Sequence, residues 1–346
     1  MNLTAIWNTV YPIIIAILFF ELIIIIHEGG HYTAARLMKI KVNEFSVGMG
    51  PKIFSVTRKG TKYSLRWILF GGYCAMEGEE EESDENGSFS KKSVGARLFV
   101  IAAGAVMNLI LGFLIIVCIV ASGDLIGTPT VAKFDDQATS AASGLQVGDT
   151  IKSIDGMRVY TSTDVETGLS RSPDGNVQMV VDRNGENVSL DVTFEMQEYE
   201  GNQYISMDFW LLGEEKTFGG VLRSSCGMFV SYMRMIFLSV ADLLSGRYGL
   251  SDLSGPVGAV SVVSTAVKTS VTSMLRIMAL LTINVGLFNL FPIPALDGWR
   301  FFILLGEGIF KKKLPQKVEY AINAAGLVLL LGVMVIVTFS DVTKLF

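Results

Sequence analysis

Residues 11–31 read YPIIIAILFFELIIIIHEGGH, and this stretch decides what kind of protein the chain is. Its first sixteen residues, Tyr11 to Ile26, are apolar except for Glu21 and approach the length that a bilayer core demands. They run into His27-Glu28-Gly29-Gly30-His31, which holds both histidines of the sequence. On a helix, positions i and i+4 share a face, so the two imidazoles are spaced for a single zinc ion. The intervening Glu28 is then placed to take a proton from an attacking water. Such groups are expensive in hydrocarbon unless paired or coordinated, and by default they mark function. The juxtaposition points to hydrolysis inside a membrane.

Composition and charge agree. Half of the 346 residues are hydrophobic and mean hydropathy is +0.47, well above an ordinary soluble domain. The net charge of -5 conceals segregation: no Lys or Arg precedes Arg36, and eleven fall between Arg36 and Arg97. A second basic cluster comprises Arg300, Lys311, Lys312, Lys313 and Lys317. Four segments are apolar enough to span a bilayer, roughly 10–35, 95–121, 273–293 and 320–339. Basic residues attract their loops to the cytoplasm, so a multi-pass plasma-membrane protein is expected, with both termini outside and the site toward the cytoplasmic side. No basic leader or small-residue cleavage site precedes the first span, which reads as retained. Cys74, Cys118 and Cys226 are too scattered for a disulfide framework, and nothing points to nucleic acid.

Between the spans the character changes. Residues 53–68, IFSVTRKGTKYSLRWI, alternate about Lys59-Gly60 and predict a β-hairpin within 42–74 that re-enters the membrane if buried against protein. The acidic run Glu77 to Glu85 reads as a solvated loop. Residues 126–212 are rich in Val, Thr, Asp and Gly, with Ser143-Gly144-Leu145 leading to Val147-Gly148-Asp149 and an Asp155-Gly156 turn. A short helix is expected over Asp164 to Ser170. This extracytoplasmic layout resembles a PDZ domain, which captures peptides by strand addition. Residues 221–245 carry Arg223, Arg234 and Asp242 on an apolar helix, read as lying in the outer interface; a fifth span would break the charge topology. The expected divisions are 1–121, 122–213, 214–271 and 272–346.

A hydrolytic zinc needs a third protein ligand beside an open position. With no further His, the best candidate is Asp297 in Asn289-Leu290-Phe291-Pro292-Ile293-Pro294-Ala295-Leu296-Asp297-Gly298, where two prolines leave irregular backbone at membrane depth. Glu21 is the rival, nearly two turns before His27.

The set comprises HEGGH on the first span, Gly71-Gly72-Tyr73 before an acidic loop, a PDZ-like insert, Leu253-Ser254-Gly255-Pro256-Val257-Gly258, and NLFPIPALDG. It resembles the site-2 protease family of intramembrane zinc metalloproteases, nearest the bacterial regulator-of-sigma-E protease type. The resemblance covers nearly the whole chain. It implies an α-helical membrane protein with a reentrant β-hairpin, with His27, His31 and Asp297 as zinc ligands and Glu28 as general base. It further implies that Gly71, Gly72, Asn289, Pro292 and Pro294 help hold the substrate, and that the hairpin is offered to the unwound strand. The expected substrates are single-span membrane proteins, such as anti-sigma factors or signal-peptide remnants. One departure is Trp299, which stands where the family usually has a second Gly.

Overall fold

The computed structural model describes residues 3–79, 83–199, 202–247, 249 and 253–344. In chain order its elements are α1 (Leu3–Leu37), β1 (Val42–Arg58), β2 (Thr61–Met76) and α2 (Val94–Ser122). There follow β3 (Ile126–Phe134), α3 (Thr139–Ala142), β4 (Thr150–Ile154), β5 (Met157–Arg158), α4 (Ser162–Ser170), β6 (Asn176–Arg183) and β7 (Glu186–Thr193). Next come β8 (Met196–Tyr199), β9 (Asn202–Ile205), β10 (Phe209–Glu214) and α5 (Phe218–Leu244). The chain finishes with α6 (Pro256–Thr269), α7 (Val271–Phe288), α8 (Asp297–Phe310) and α9 (Gln316–Thr343). Among the described residues, α1, α2, α5, α7 and α9 are long and apolar enough to cross a membrane, which makes this a multi-pass membrane protein. That is one candidate more than the four read from the sequence. The addition is α5, the least apolar of the set. Two helices, α6 and α8, fall where the sequence reading had a GPVG segment and the loop between its third and fourth spans.

The chain divides into two compact units, residues 1–115 with 240–346, and residues 116–239. In the first, β1 and β2 fold back on themselves. Thr57 to Phe54 match Lys62 to Leu65 across the Lys59-Gly60 turn, where both φ angles are positive. Glu44 to Val47 match Lys62 to Leu65 on one side and, in reverse order, Ala75 to Gly72 on the other. The hairpin read from the sequence is thus one half of a sheet of four runs, and residues 72–76 form an edge. Its outer arm leaves Phe54, Trp67 and Ile68 more than half exposed. Helix α6 packs against α1, α7 and α9. The Asp341 carboxylate near the end of α9 accepts the N–H groups of Gly255 (2.9 Å) and Gly258 (2.8 Å), capping the start of α6 where helix N–H groups lack internal partners.

The second unit holds a sheet in the order β10-β3-β4-β6-β7, with β5 beside β4 and β8-β9 as a separate hairpin. Its inward positions (Val131, Ile151, Ile154, Met179, Val181, Val192) close on Val165 and Leu169 of α4 and on Phe209. Here α5 is tied to the sheet. Arg234 donates to the Arg158 carbonyl and pairs with buried Asp164 at the start of α4. A Cβ on Gly227 would come within 2.9 Å of the Thr161 methyl group, so the helix backbone lies close against that corner.

Candidate metal centre

Helix α1 delivers His27 and His31 to the protein interior, at 9% and 6% exposure. Two close approaches let α2 pass beside them. A Cβ on Gly30 would sit 2.4 Å from the Ala103 carbonyl oxygen, and one on Gly104 would sit 2.4 Å from His31 Nε2. The passing helix supplies a carbonyl: His31 Nδ1 donates to Val100 O at 2.9 Å. That bond places the ring proton on Nδ1 and turns the lone pair of Nε2 inward.

The third group arrives from the irregular loop. Helix α7 ends at Phe288, the chain turns through Pro292 and Pro294, and Ala295 takes a φ of +74° before α8 begins. Such a φ is costly for a residue with a Cβ, and strained backbone of this kind gathers at functional sites. Asp297 is the first residue of α8, and its Oδ2 lies 2.9 Å from His27 Nε2 and 3.1 Å from His31 Nε2. The two Nε2 atoms are 3.2 Å apart. Gly298 permits this entry, because a Cβ there would fall 2.1 Å from the Phe291 carbonyl oxygen. Trp299 follows in ordinary helical backbone, its N–H bonded to Leu296 O at 3.2 Å, so the position makes no demand for glycine.

These three side chains could hold a metal. Bonds of about 2.0–2.1 Å in a tetrahedron set ligand atoms roughly 3.3 Å apart, close to the separations here. Two nitrogens and a carboxylate oxygen form a donor set suited to zinc. Glu21 lies outside the group, with its carboxyl by the backbone of Gly48 and Gly71.

Glu28 faces the sheet. A Cβ on Gly72 would meet its Cγ at 3.6 Å, and the backbone of Cys74 approaches its carboxylate. A cavity of about 770 Å³ is lined by Glu28, His31, Asp297 and the edge residues Tyr73 to Met76. The edge beside the site is therefore 72–76, whereas residues 53–58 lie at the far side of the sheet. Cys74 is buried on that edge. Of the other candidates, Gly71 is a bend with φ +120° one residue before Gly72. Asn289 turns its amide back to Val285 O at 3.0 Å, Pro294 packs against Gly326, and Pro292 is exposed. None of these three lines the cavity.

Sequence reasoning missed the supports. The Val100 carbonyl carries no sequence signal. The acidic run is no simple solvated loop: Glu77 binds Asn43 at 2.9 Å and Ser83 at 2.6 Å, and Glu79 is mostly buried against Arg300. Residues 80–82 of that run lie outside the described residues.

The model of peptidase family M50 matches residues 15–333. A protein of Clostridium perfringens named as a zinc metalloprotease is 33% identical over 331 residues, covering 95% of this chain and 98% of the relative. Another so named, from Clostridium acetobutylicum, is 32% identical over 332 residues, covering 96% and 97%. The regulator of sigma-W protease RasP of Bacillus subtilis is 26% identical over 419 residues, covering 97% and 99%. A match of this extent, to relatives aligned almost end to end, makes the chain a member of peptidase family M50 and a zinc metalloprotease.

Proposed function

We infer that this zinc metalloprotease cuts transmembrane segments of single-span proteins within the bilayer of a bacterial plasma membrane. The observation that carries the reading is the meeting of Asp297 with His27 and His31, which lie on a helix of membrane-crossing length, their ligand atoms within 4.8 Å of one another. We assign those three side chains as zinc ligands and Glu28 as the general base. From Tyr11 to Ile26 the helix covers about 24 Å of a core about 30 Å thick, which puts the site in the cytoplasmic third.

Zinc bound there would lower the pKa of water toward neutrality and polarise the scissile carbonyl. The protein's own groups do the rest. The His31–Val100 bond holds one imidazole in the ligating tautomer. Glu28 receives a proton from water at its carboxylate and passes it to the departing amine. Residues 72–76, paired in the sheet on one side, accept the unwound substrate by strand addition and replace the backbone hydrogen bonds it loses. Gly72 gives that strand access to Glu28.

Topology follows from charge and from α5. If α5 crossed the membrane, Lys311–Lys313 would stand on the side opposite the Arg36–Arg97 cluster, against the positive-inside pattern. Arg234, two-thirds along α5, is bonded to a polar corner of the β-rich unit, so too few residues of α5 remain for hydrocarbon. We therefore read four spans, α5 as an interfacial helix, both termini outside, and residues 122–213 as an extracytoplasmic PDZ-like module able to bind a peptide. Anti-sigma factors and signal-peptide remnants fit as substrates, the former in keeping with the name of the Bacillus subtilis relative.

The test is cleavage of a single-span substrate in liposomes by wild type and Glu28→Gln, with zinc measured in both. Loss of cleavage by at least a thousandfold with one zinc per chain is expected for the variant. A wild type that holds zinc yet cuts none of a panel of spans would refute the reading.

A further inference from the structure

We propose that Arg300 is a positioning residue that sets which peptide bond of the substrate lies over the metal centre. It does so by tying the helix of Asp297 to the strand edge beside Glu28; this rests on the protease reading above. Arg300 stands three residues after Asp297 on α8. Its Nη1 donates to Glu79 Oε1 at 2.6 Å and its Nη2 to the Glu79 carbonyl at 2.7 Å. The other carboxylate oxygen of Glu79 accepts the N–H of Met76, the last residue of the edge, at 3.4 Å. Two residues back along that edge the backbone of Cys74 approaches the Glu28 carboxylate, and at Gly72 an added Cβ would come within 3.6 Å of Glu28 Cγ. A continuous chain of contacts thus runs from a metal ligand, through one guanidinium and one carboxylate, to the strand that would carry the substrate.

The location strengthens the inference. A second cavity, of about 750 Å³, is lined by Arg300, Glu307, Glu319 and Asn323. It shares Gly78, Glu79, Ile101 and Asp297 with the cavity at Glu28, so the Arg300–Glu79 tie stands where both spaces meet. A guanidinium grips two acceptors in one plane, a rigidity that an ammonium lacks. Strand residues advance about 3.3 Å each, so a shift of one residue between the edge and Asp297 presents a different bond to the site. Misplacement of about 1 Å can already cost about a hundredfold in rate.

Arg300→Ala, Arg300→Lys and Glu79→Gln are compared with wild type in the full chain at saturating zinc. Product termini from one single-span substrate are read by mass spectrometry, and zinc affinity by chelator competition. Wild type is expected to cut one bond. Arg300→Ala should cut several neighbouring bonds, about 10–100-fold more slowly, with zinc bound about tenfold or more weakly. Arg300→Lys, able to keep one of the two bonds, should scatter less, which separates loss of register from loss of fold. Cleavage by both Arg300 variants at the single wild-type bond overturns the proposal while leaving the protease reading intact. So does unchanged zinc affinity in Arg300→Ala. A wild type that cuts nothing overturns both.

Discussion

Gly104 shows how much of the centre depends on what a residue lacks. With a hydrogen in place of a side chain it lets α2 pass beside both imidazoles, and a methyl group there would lie 2.4 Å from His31 Nε2 and 2.9 Å from His27 Cε1. Such contacts cannot be relieved by rotating a flexible side chain, because both rings are held in place by their own bonds. Gly104→Ala is therefore expected to lose at least tenfold in zinc affinity while the chain still folds, measured by chelator competition alongside circular dichroism. Full zinc affinity in that variant would show that the two helices are not locked here. Nothing in the local sequence VIAAGAVMN distinguishes Gly104 from any other small helix residue. Its role exists only because α1 lies against it.

Among the elements, the β-rich unit offers a pair whose pH response can be worked out. Asp149 is buried before β4, where Arg183 of β6 donates to it at 2.8 and 2.7 Å and the Gln146 N–H at 2.9 Å. Burial raises this carboxyl, but the guanidinium and the N–H outweigh it and hold it below the usual carboxylate range. A carboxylate with a depressed folded pKa stabilises fully above its unfolded value, near 4, and loses that contribution as pH falls through the folded value. Removing one partner of such a pair costs about 2–4 kcal/mol. Asp149→Asn should thus be destabilised by a constant margin between pH 5 and 7, with the gap closing below about pH 4, read by thermal unfolding of the full chain. A gap that widens on acidification would contradict the assignment. The short helix over Asp164 to Ser170 and the Asp155-Gly156 turn are both present as read, because capping and turn chemistry are local. The sheet of β1 and β2 was only half legible. Alternation announces a hairpin, but it does not tell that residues 44–47 pair on both sides, and it is this double pairing that puts 72–76 at the edge beside Glu28.

For the molecule as a whole, the decisive question is which side of the membrane each part occupies. Single cysteines placed at Lys312 and Glu186 in a chain lacking Cys74, Cys118 and Cys226 should react with an impermeant maleimide from opposite faces of the bilayer. Spheroplasts are expected to label position 186, and position 312 only after permeabilisation. Labelling of both from one side would contradict the four-span topology. Much of this scale could be read in advance. The apolar lengths of the spans, the HEGGH spacing and the basic loops are properties of neighbouring residues, and hydrocarbon enforces them directly because an unpaired polar group there is too costly to tolerate. The sequence by itself therefore determined the membrane-bound class, the metal-binding chemistry and the identity of His27, His31, Glu28 and Asp297 as candidates. Only the tertiary structure decided that Asp297, 266 residues beyond His31, points Oδ2 between both imidazoles. It alone selected the strand edge facing Glu28 and revealed that Arg300 and Glu79 join that edge to the helix of Asp297. The reason is physical: these relations depend on close approach and charge pairing between distant segments, and a glycine, a carbonyl or one arginine carries no local pattern that announces its partner.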